Sequence, residues 1–585
     1  MPKSDEMAAV KRLPWPFFLA AICTLAFVAR CWNLGDVFVA GRIYFADADC
    51  YSRMTRAALI ADGHGPIVRH HDFENFPHGI MPHTTAPLDW LIVAGKKVLD
   101  AGFWMLDREG TSILRGQTLD LSGALVSPVL GVLTCAWLGW WSRGRERAAH
   151  AWAPPLLFAI SPVLVHGTVL GRPDHQSLLI FLLAIALGVE CWLVLRCNRS
   201  ADAEPGRAFA LGIVAGVAWG MAMWVSLYEP LVLFSVVFAL WGLGDRRRFT
   251  ARDFRAGWFA FASVLLLAVL VDGWRVVWPD AAMRVAFGHW QQTIGELRHL
   301  DLRSAVLLHW LGAACILTPV LLGLAAVREG KVATLLGVLL VLLTLTIWQV
   351  RWGYFLALAY AMSLPWQLAV LRRAWLGAAI FVLGLWPVAQ DWEATLYPDM
   401  LAEKVRNERR AEGVQLRELA AQMRAGQAGG FLAPWWLSPA LAYWSGAAGV
   451  AGSSHEALAG TVESGKFFLA PDAGAAEAVA RQLGVRWVVT DGADVDGVSR
   501  LVRAYGPLLG GEVPPAPWGV ALHERGQPRE RVSAADFAEV PPELRARLLA
   551  VAERAEVEEI GSAAFSCVFK NQFFKLFRVK EAPPP

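Results

Sequence analysis

Apolar runs of about 17–25 residues recur along this chain, each long enough to cross roughly 30 Å of hydrocarbon as a helix. They fall near residues 15–33, 120–142, 152–170, 176–196, 208–226, 229–244, 256–272, 305–327, 332–349, 352–371 and 375–390. The expected fold class is a polytopic α-helical membrane protein of about 11–13 spans. Composition agrees: of 585 residues, 56% are hydrophobic and only 18% charged, with a mean hydropathy of +0.40, which excludes an ordinary soluble globule. The 28 Trp suit a chain with much surface at the membrane interface. A net charge of +3 gives no footprint for nucleic acid. Cys23, Cys135, Cys191 and Cys315 lie in apolar runs, no CxxC occurs, and Cys567 stands alone near the C-terminus. Neither a disulfide framework nor a zinc site is implied.

Lys and Arg collect in short loops on one side. Lys3, Lys11 and Arg12 precede the first run. Arg143, Arg145 and Arg147 follow the second, Arg196, Arg199 and Arg207 the fourth, and Arg246, Arg247 and Arg248 the sixth. Arg328 and Lys331 follow the eighth, Arg372 and Arg373 the tenth. The positive-inside rule then sets the N-terminus in the cytoplasm. The N-terminal run has no small-residue cleavage site and reads as a retained span of a multi-pass, bacterial-type inner (plasma) membrane protein.

Loops at about 34–118, 171–175 and 273–304, and a turn near Gln349–Arg351, then face outside. The expected organisation is a transmembrane domain over 1–390 and a periplasmic (extracytoplasmic) soluble domain over 391–585. The latter opens with a charged helical stretch at 399–426. Alternating apolar segments such as Phe467–Ala470 and Arg486–Thr490 follow between Gly-rich turns, a mixed α/β pattern. Within the first loop, 86–101 reads as a helix lying on the membrane, since Asp89, Lys96 and Lys97 argue against a full span.

Four acids fall in the outer loops: Asp47 and Asp49, then Asp174, then Glu296. A carboxylate beside hydrocarbon is expensive unless paired, hydrated or bound to a cation, so several on one face point to a divalent-metal site at the membrane surface. The first loop runs F-A-D-A-D-C-Y-S-R and then H-H-D-F-E-N-F-P-H-G-I-M-P-H. Its His64, His70, His71, His78 and His83 match no zinc spacing and read as loop polarity with at most a substrate contact. Asp174 and His175, in G-R-P-D-H-Q, stand at the start of a span, where a helix cap and a metal ligand are both open readings. Asp491, Asp494 and Asp496 lack the spacing of a calcium loop and read as a turn.

Taken in order, these strings resemble the catalytic subunits of asparagine-linked oligosaccharyltransferases, including their single-subunit prokaryotic forms, which are C-type (GT-C) glycosyltransferases. The family's first acidic motif is matched by Asp49-Cys50-Tyr51-Ser52-Arg53, with Asp47 just upstream. Asn75-Phe76-Pro77-His78-Gly79 is similar to its N-[YF]-P-x-G stretch, and Asp174-His175-Gln176 to its second acidic motif. Thr293-Ile294-Gly295-Glu296 meets T-I-x-E in full, and Arg351 in Q-V-R-W-G-Y-F resembles the arginine that contacts the donor pyrophosphate. Two departures stand out. Gln176 replaces the Asp or His of relatives, and W-W-D-Y-G becomes Trp435-Trp436-Leu437-Ser438-Pro439.

The resemblance implies a GT-C catalytic domain with an extracytoplasmic mixed α/β domain. It implies transfer of a glycan from a polyprenyl-diphosphate-linked donor to a protein or peptide acceptor on the outer face of the membrane. Asp49 and Glu296 would be catalytic. Asp49, Asp174, Glu296 and His175 would hold Mn²⁺ or Mg²⁺, since hard cations take oxygen ligands. Arg351 would bind the pyrophosphate, for which a planar fork suits. Trp435, Trp436 and Ser438 would face the acceptor, and Asp47, Gln176 and Thr293 would support the site. The chain would work as a single subunit among membrane lipids, without nucleic acid. Leu437 cannot accept a hydrogen bond, so the usual Asn-x-Ser/Thr sequon is in question. Plainer readings are an Arg351 that snorkels to the interface and a Trp pair in the domain core. Two rival functions remain: a GT-C polyprenyl-phosphate-sugar transferase acting on a lipid, glycan or protein hydroxyl, and a non-enzymatic transporter or assembly scaffold. Transport sites, however, usually lie at the bilayer midplane rather than in outer loops.

Overall fold

The computed structural model describes residues 14–83, 85–106, 113–143, 148–196, 205–244, 249, 251–275, 281–330, 332–371, 373–426, 429–495, 498–511, 513–515, 517–525 and 564–580. Helices occupy the apolar runs. Ile113–Arg143, His175–Val194, Gly206–Val225, Arg252–Asp272 and Ala374–Leu396 are long and apolar enough to cross a membrane. Shorter apolar helices cover Trp15–Arg30, Tyr228–Leu243, Ala313–Arg328 and Val332–Trp348. This is the polytopic helical class that the run lengths predict. Of the residues that set the expected orientation, Lys3, Lys11, Arg12, Arg145, Arg147, Arg199, Arg246, Arg247, Arg248, Lys331 and Arg372 lie outside the described residues.

Two expected spans are broken. The run at 152–170 divides into Ala153–Ile160 and Pro162–His166. Proline disfavours helical backbone in the residue before it, and Ser161 is extended at ψ 119°. The run at 305–327 divides at Gly312, whose φ of +82° only glycine adopts freely. A Cβ there would also lie 2.7 Å from the Gly384 carbonyl oxygen.

The first loop folds rather than trailing in solvent. Its helix Ala48–Ala61 packs against Ala86–Leu106, the helix expected over 86–101. Asp89 is the reason: it is buried between Arg53 at 2.9 Å and Arg56 at 3.2 Å, both on the facing helix. A charge held this way serves helix packing and is not exposed to lipid.

After the last apolar helix, Met400–Ala425 forms the expected charged helix, capped by Asp399, whose Oδ1 accepts from Ala402 N at 2.7 Å. A four-stranded sheet follows: β1 (Gly430–Leu432), β2 (Val485–Asp491), β3 (Phe565–Lys570) and β4 (Phe574–Val579), in the order β1-β2-β4-β3. β1 and β2 are parallel, and β4 runs antiparallel to β2 and β3. The expected strand at Arg486–Thr490 lies within β2, with Val489 opposite Leu576. Phe467–Ala470 is not a strand. Phe467 and Phe468 end the helix Leu458–Phe468, and both are fully buried in the core of this region, on a helical rather than an alternating face.

This region sits directly on the first loop. The helix Ser438–Ser445 packs on Ala48–Ala61, with the Tyr51 and Trp444 rings 4.9 Å apart edge to face. Arg406 and Arg410 both donate to Asp36. The N-F-P-H-G turn docks as well: Asn75 Nδ2 donates to Gly79 O, and Asn75 Oδ1 accepts from Gly460 N, each at 2.9 Å. Gly79 has φ +68°, and a Cβ there would meet the His71 carbonyl at 2.6 Å.

Candidate active site

Three loops converge on one guanidinium. Arg172 Nη2 lies 2.9 Å from Glu296 Oε1, 3.6 Å from Asp47 Oδ2 and 3.9 Å from Asp174 Oδ2. Each carboxylate arrives by its own local device. Asp47 is the N-cap of Ala48–Ala61, its Oδ1 accepting from Cys50 N at 3.1 Å, which sets Asp49 in the first turn of that helix. Asp174 directly precedes the helix His175–Arg196 and accepts from His175 N at 2.6 Å. Glu296 stands on a short 3₁₀ turn, Gly295–Leu297. Two backbone bonds of 3.0 Å, Leu300 N to Ile347 O and Val350 N to Arg298 O, tie that loop to the turn carrying Arg351.

A closed polar ring surrounds Arg172. It donates through Nη1 to His166 Nε2 at 3.0 Å, and His166 Nδ1 lies 2.9 Å from the Tyr354 hydroxyl. That hydroxyl donates to Glu296 Oε1 at 3.4 Å. Because Arg172 has only protons to give, His166 Nε2 must be the acceptor, so its proton sits on Nδ1 and points to Tyr354.

Asp49 opens to solvent on the same face, with Ser453 of the C-terminal region in hydrogen-bonding reach. Burial in the surrounding protein, then the carboxylates of Asp47 and Asp174, push its pKa up to about 7. The exposure of Asp49 to solvent offsets part of that burial. The charge repulsion remains, and a bound cation would cancel it. Asp174 sits well below the usual carboxylate range: burial would raise it, but the His175 ring and the Arg172 guanidinium outweigh that.

Beside this group, Arg351 ion-pairs with the fully buried Glu229, which also accepts from Ser226 Oγ at 2.7 Å. Arg351 lies 5.8 Å over the Tyr228 ring, and its buried Nε has no hydrogen-bond partner among the described residues. The remaining sequence candidates make local contacts. His175 Nδ1 is turned 2.6 Å onto Asp174, Gln176 is buried, and Thr293 Oγ1 donates to Trp290 O at 2.7 Å. Ser438 is buried and its hydroxyl donates to the carbonyls of Ala433 and Pro434, while Leu437 is part of the main core. Trp435 and Trp436 are half-buried, 5.8 Å apart edge to face, and Trp435 meets Trp290 at 6.1 Å. Asp491 forms the expected turn, accepting from Ala493 N at 2.9 Å, whereas Asp496 lies outside the described residues.

Sequence reasoning missed Arg172, His166, Tyr354 and Glu229. The signals were present: Arg172 lies in the same short loop as Asp174, and Glu229 opens an apolar run where an unpaired carboxylate would be expensive.

The donor set suits a hard divalent cation, being four carboxylates around the Arg172 guanidinium with the His175 ring against Asp174. Arg172 fills the gap between three of them, so an ion would take the place of its positive charge. Among the described residues, the group of His, Cys, Asp and Glu ligand atoms drawn within 4.8 Å is a different one, His83, His455 and Glu456.

No family sequence model matches the chain, and no curated protein sequence matches it. Solved structures do share its fold. The Archaeoglobus fulgidus oligosaccharyltransferase in complex with an inhibitory peptide and a dolichol-phosphate matches with a TM-score of 0.62 at 15% identity, over 87% of this chain and 72% of that one. The same enzyme in complex with Zn and sulfate matches with a TM-score of 0.60 at 15% identity, over 81% and 67%. Tethered to an acceptor peptide containing the NVT sequon, it gives 0.60 at 15%, over 87% and 72%. The chain therefore has the fold of an oligosaccharyltransferase, a polytopic membrane architecture with a C-terminal region seated over its first loop.

Proposed function

We propose that this chain is a glycosyltransferase of the outer membrane face, moving a glycan from a polyprenyl-diphosphate carrier to a protein acceptor. The observation that carries this reading is the meeting of Asp47, Asp174 and Glu296 around Arg172, with Asp49 beside them. These residues come from three loops of a fold shared with an enzyme captured with dolichol-phosphate and acceptor-type peptides. Asp49, Asp174 and Glu296 would hold Mn²⁺, Mg²⁺ or a similar divalent ion. When bound, that ion would supply Lewis-acid stabilisation of the departing pyrophosphate. Arg351 has an unused buried Nε–H and a permanent charge, which equips it to bind phosphate oxygens. Tyr354 holds Glu296 directly, and His166 holds it through Arg172. The N-terminus would lie in the cytoplasm and residues 391–585 outside, the protein working as a single subunit.

The test uses the purified chain with a lipid-diphosphate oligosaccharide, Mn²⁺, and peptides with or without Asn-x-Thr. Metal-dependent transfer that disappears in Asp49→Ala and Glu296→Ala is expected. Full activity in both variants would sink the site. Leu437 favours a second reading on the acceptor side only. It is buried where relatives place an aspartate, so it offers no acceptor for a sequon hydroxyl. Transfer solely to peptides or lipids lacking the sequon would support a GT-C enzyme with a different acceptor.

A further inference from the structure

His83, from the first outer loop, and His455 and Glu456, from the turn before the helix Leu458–Phe468, bring three ligand atoms within 4.8 Å of one another. Glu456 Oε1 lies 2.9 Å from His83 Nδ1 and 3.4 Å from His455 Nε2. Ligands of a tetrahedral zinc ion, with bonds of about 2.0–2.1 Å, stand roughly 3.3 Å apart. Two edges of such a polyhedron are therefore already in place. The two imidazoles face each other with centroids 4.4 Å apart, and Phe287 closes one side of His455 at 6.5 Å. Both rings and one carboxylate are a set that imidazole-preferring metals take, whereas Mg²⁺ and Mn²⁺ prefer oxygen alone.

We infer that His83, His455 and Glu456 form a second metal site, for Zn²⁺ or a similar borderline ion, that pins the C-terminal region to the first outer loop. The same four-residue stretch shows what the pin holds. Ser453 reaches Asp49, Ser454 Oγ donates to Glu74 Oε2 at 3.2 Å, and His455 and Glu456 face His83. A metal here fixes the segment that touches Asp49 without touching the reacting groups. Two ligands on one turn and the third on a distant loop are why no sequence spacing announces the site. The inference stands apart from the proposed transfer reaction and needs no turnover to test.

The full chain, purified in detergent and stripped with EDTA, is titrated with CoCl₂ and followed by visible absorption. One equivalent giving the intense d–d bands of four- or five-coordinate cobalt, displaced by Zn²⁺, is expected. The bands should persist in Asp49→Ala and Glu296→Ala. In His83→Gln and His455→Gln, Co²⁺ affinity should fall at least roughly tenfold, the lower bound for losing even an outer-shell partner, with melting in EDTA unchanged. Wild-type bands in both His variants would overturn the site. Should those variants fail to fold, zinc X-ray absorption on Glu296→Ala decides: two imidazole ligands support the inference, and oxygen ligands alone refute it.

Discussion

Arg172 donates to Glu296 Oε1 across 2.9 Å and 124 residues of sequence, and the same Nη2 faces Asp47 and Asp174. A guanidinium among carboxylates competes with any cation they might bind. Two unit charges at 4 Å interact by ~4 kcal/mol at an effective dielectric of about 20, and the half-open setting reduces this to ~1.4 kcal/mol, about tenfold in affinity. Arg172→Gln should therefore bind Mn²⁺ about tenfold more tightly, read by electron paramagnetic resonance of free Mn²⁺. Unchanged or weaker binding would show that Arg172 does not occupy the cation's place.

Glu229 fixes Arg351 from a fully buried position, leaving Arg351 Nε without a partner among the described residues. Arg351→Lys keeps the charge but loses the planar fork. Losing one charge-assisted hydrogen bond, worth about 1.5–3 kcal/mol, should raise the donor KM by roughly tenfold or more. The acceptor-peptide KM should stay near its wild-type value. An equal rise in both would place Arg351 outside donor binding.

Much of this arrangement was legible in the chain, and the rest was not for identifiable reasons. Helices follow from runs of apolar residues, a local property, so their positions and the mixed sheet around Val485–Asp491 could be read directly. The breaks at Pro162 and Gly312 were missed because hydropathy averages over single residues that change the backbone. The acids were legible as expensive charges near hydrocarbon. Their counter-ion was not, since Arg172 in a short loop looks like any solvated arginine until the fold brings Glu296 to it. The contacts of Ser438 were not legible for a similar reason: only the fold brings its hydroxyl proton to the carbonyls of Ala433 and Pro434.

Asp89 accepts from Arg53 and Arg56 in a nearly solvent-free contact between two helices of the first loop. Asp89→Asn would leave two buried guanidinium groups sharing a neutral partner. Removing one member of such a buried group costs about 3–5 kcal/mol. Thermal unfolding should shift downward by several degrees, and protease should cut the first loop more readily. A melting temperature equal to wild type would mean that water reaches this contact.

Glu74 is fully buried, receives the Ser52 and Ser454 hydroxyls, and lies near Asp49. Burial is the main cause that pushes its pKa up to about 8, against an ordinary value of 4.5, with Arg56 acting in the opposite direction. The folded protein thus binds this proton more tightly than the unfolded chain does. The sign follows from proton linkage: between pH 4.5 and 8 the native state carries more protons, so stability falls as pH rises through that window. The contribution is fully present below pH 4.5 and lost above 8. Glu74→Gln mimics the protonated form and cannot titrate. Its melting temperature should match wild type near pH 5 and exceed it increasingly as pH climbs toward 8. A difference between the two proteins that stays constant from pH 5 to pH 8 would mean that Glu74 is already ionised in the folded state.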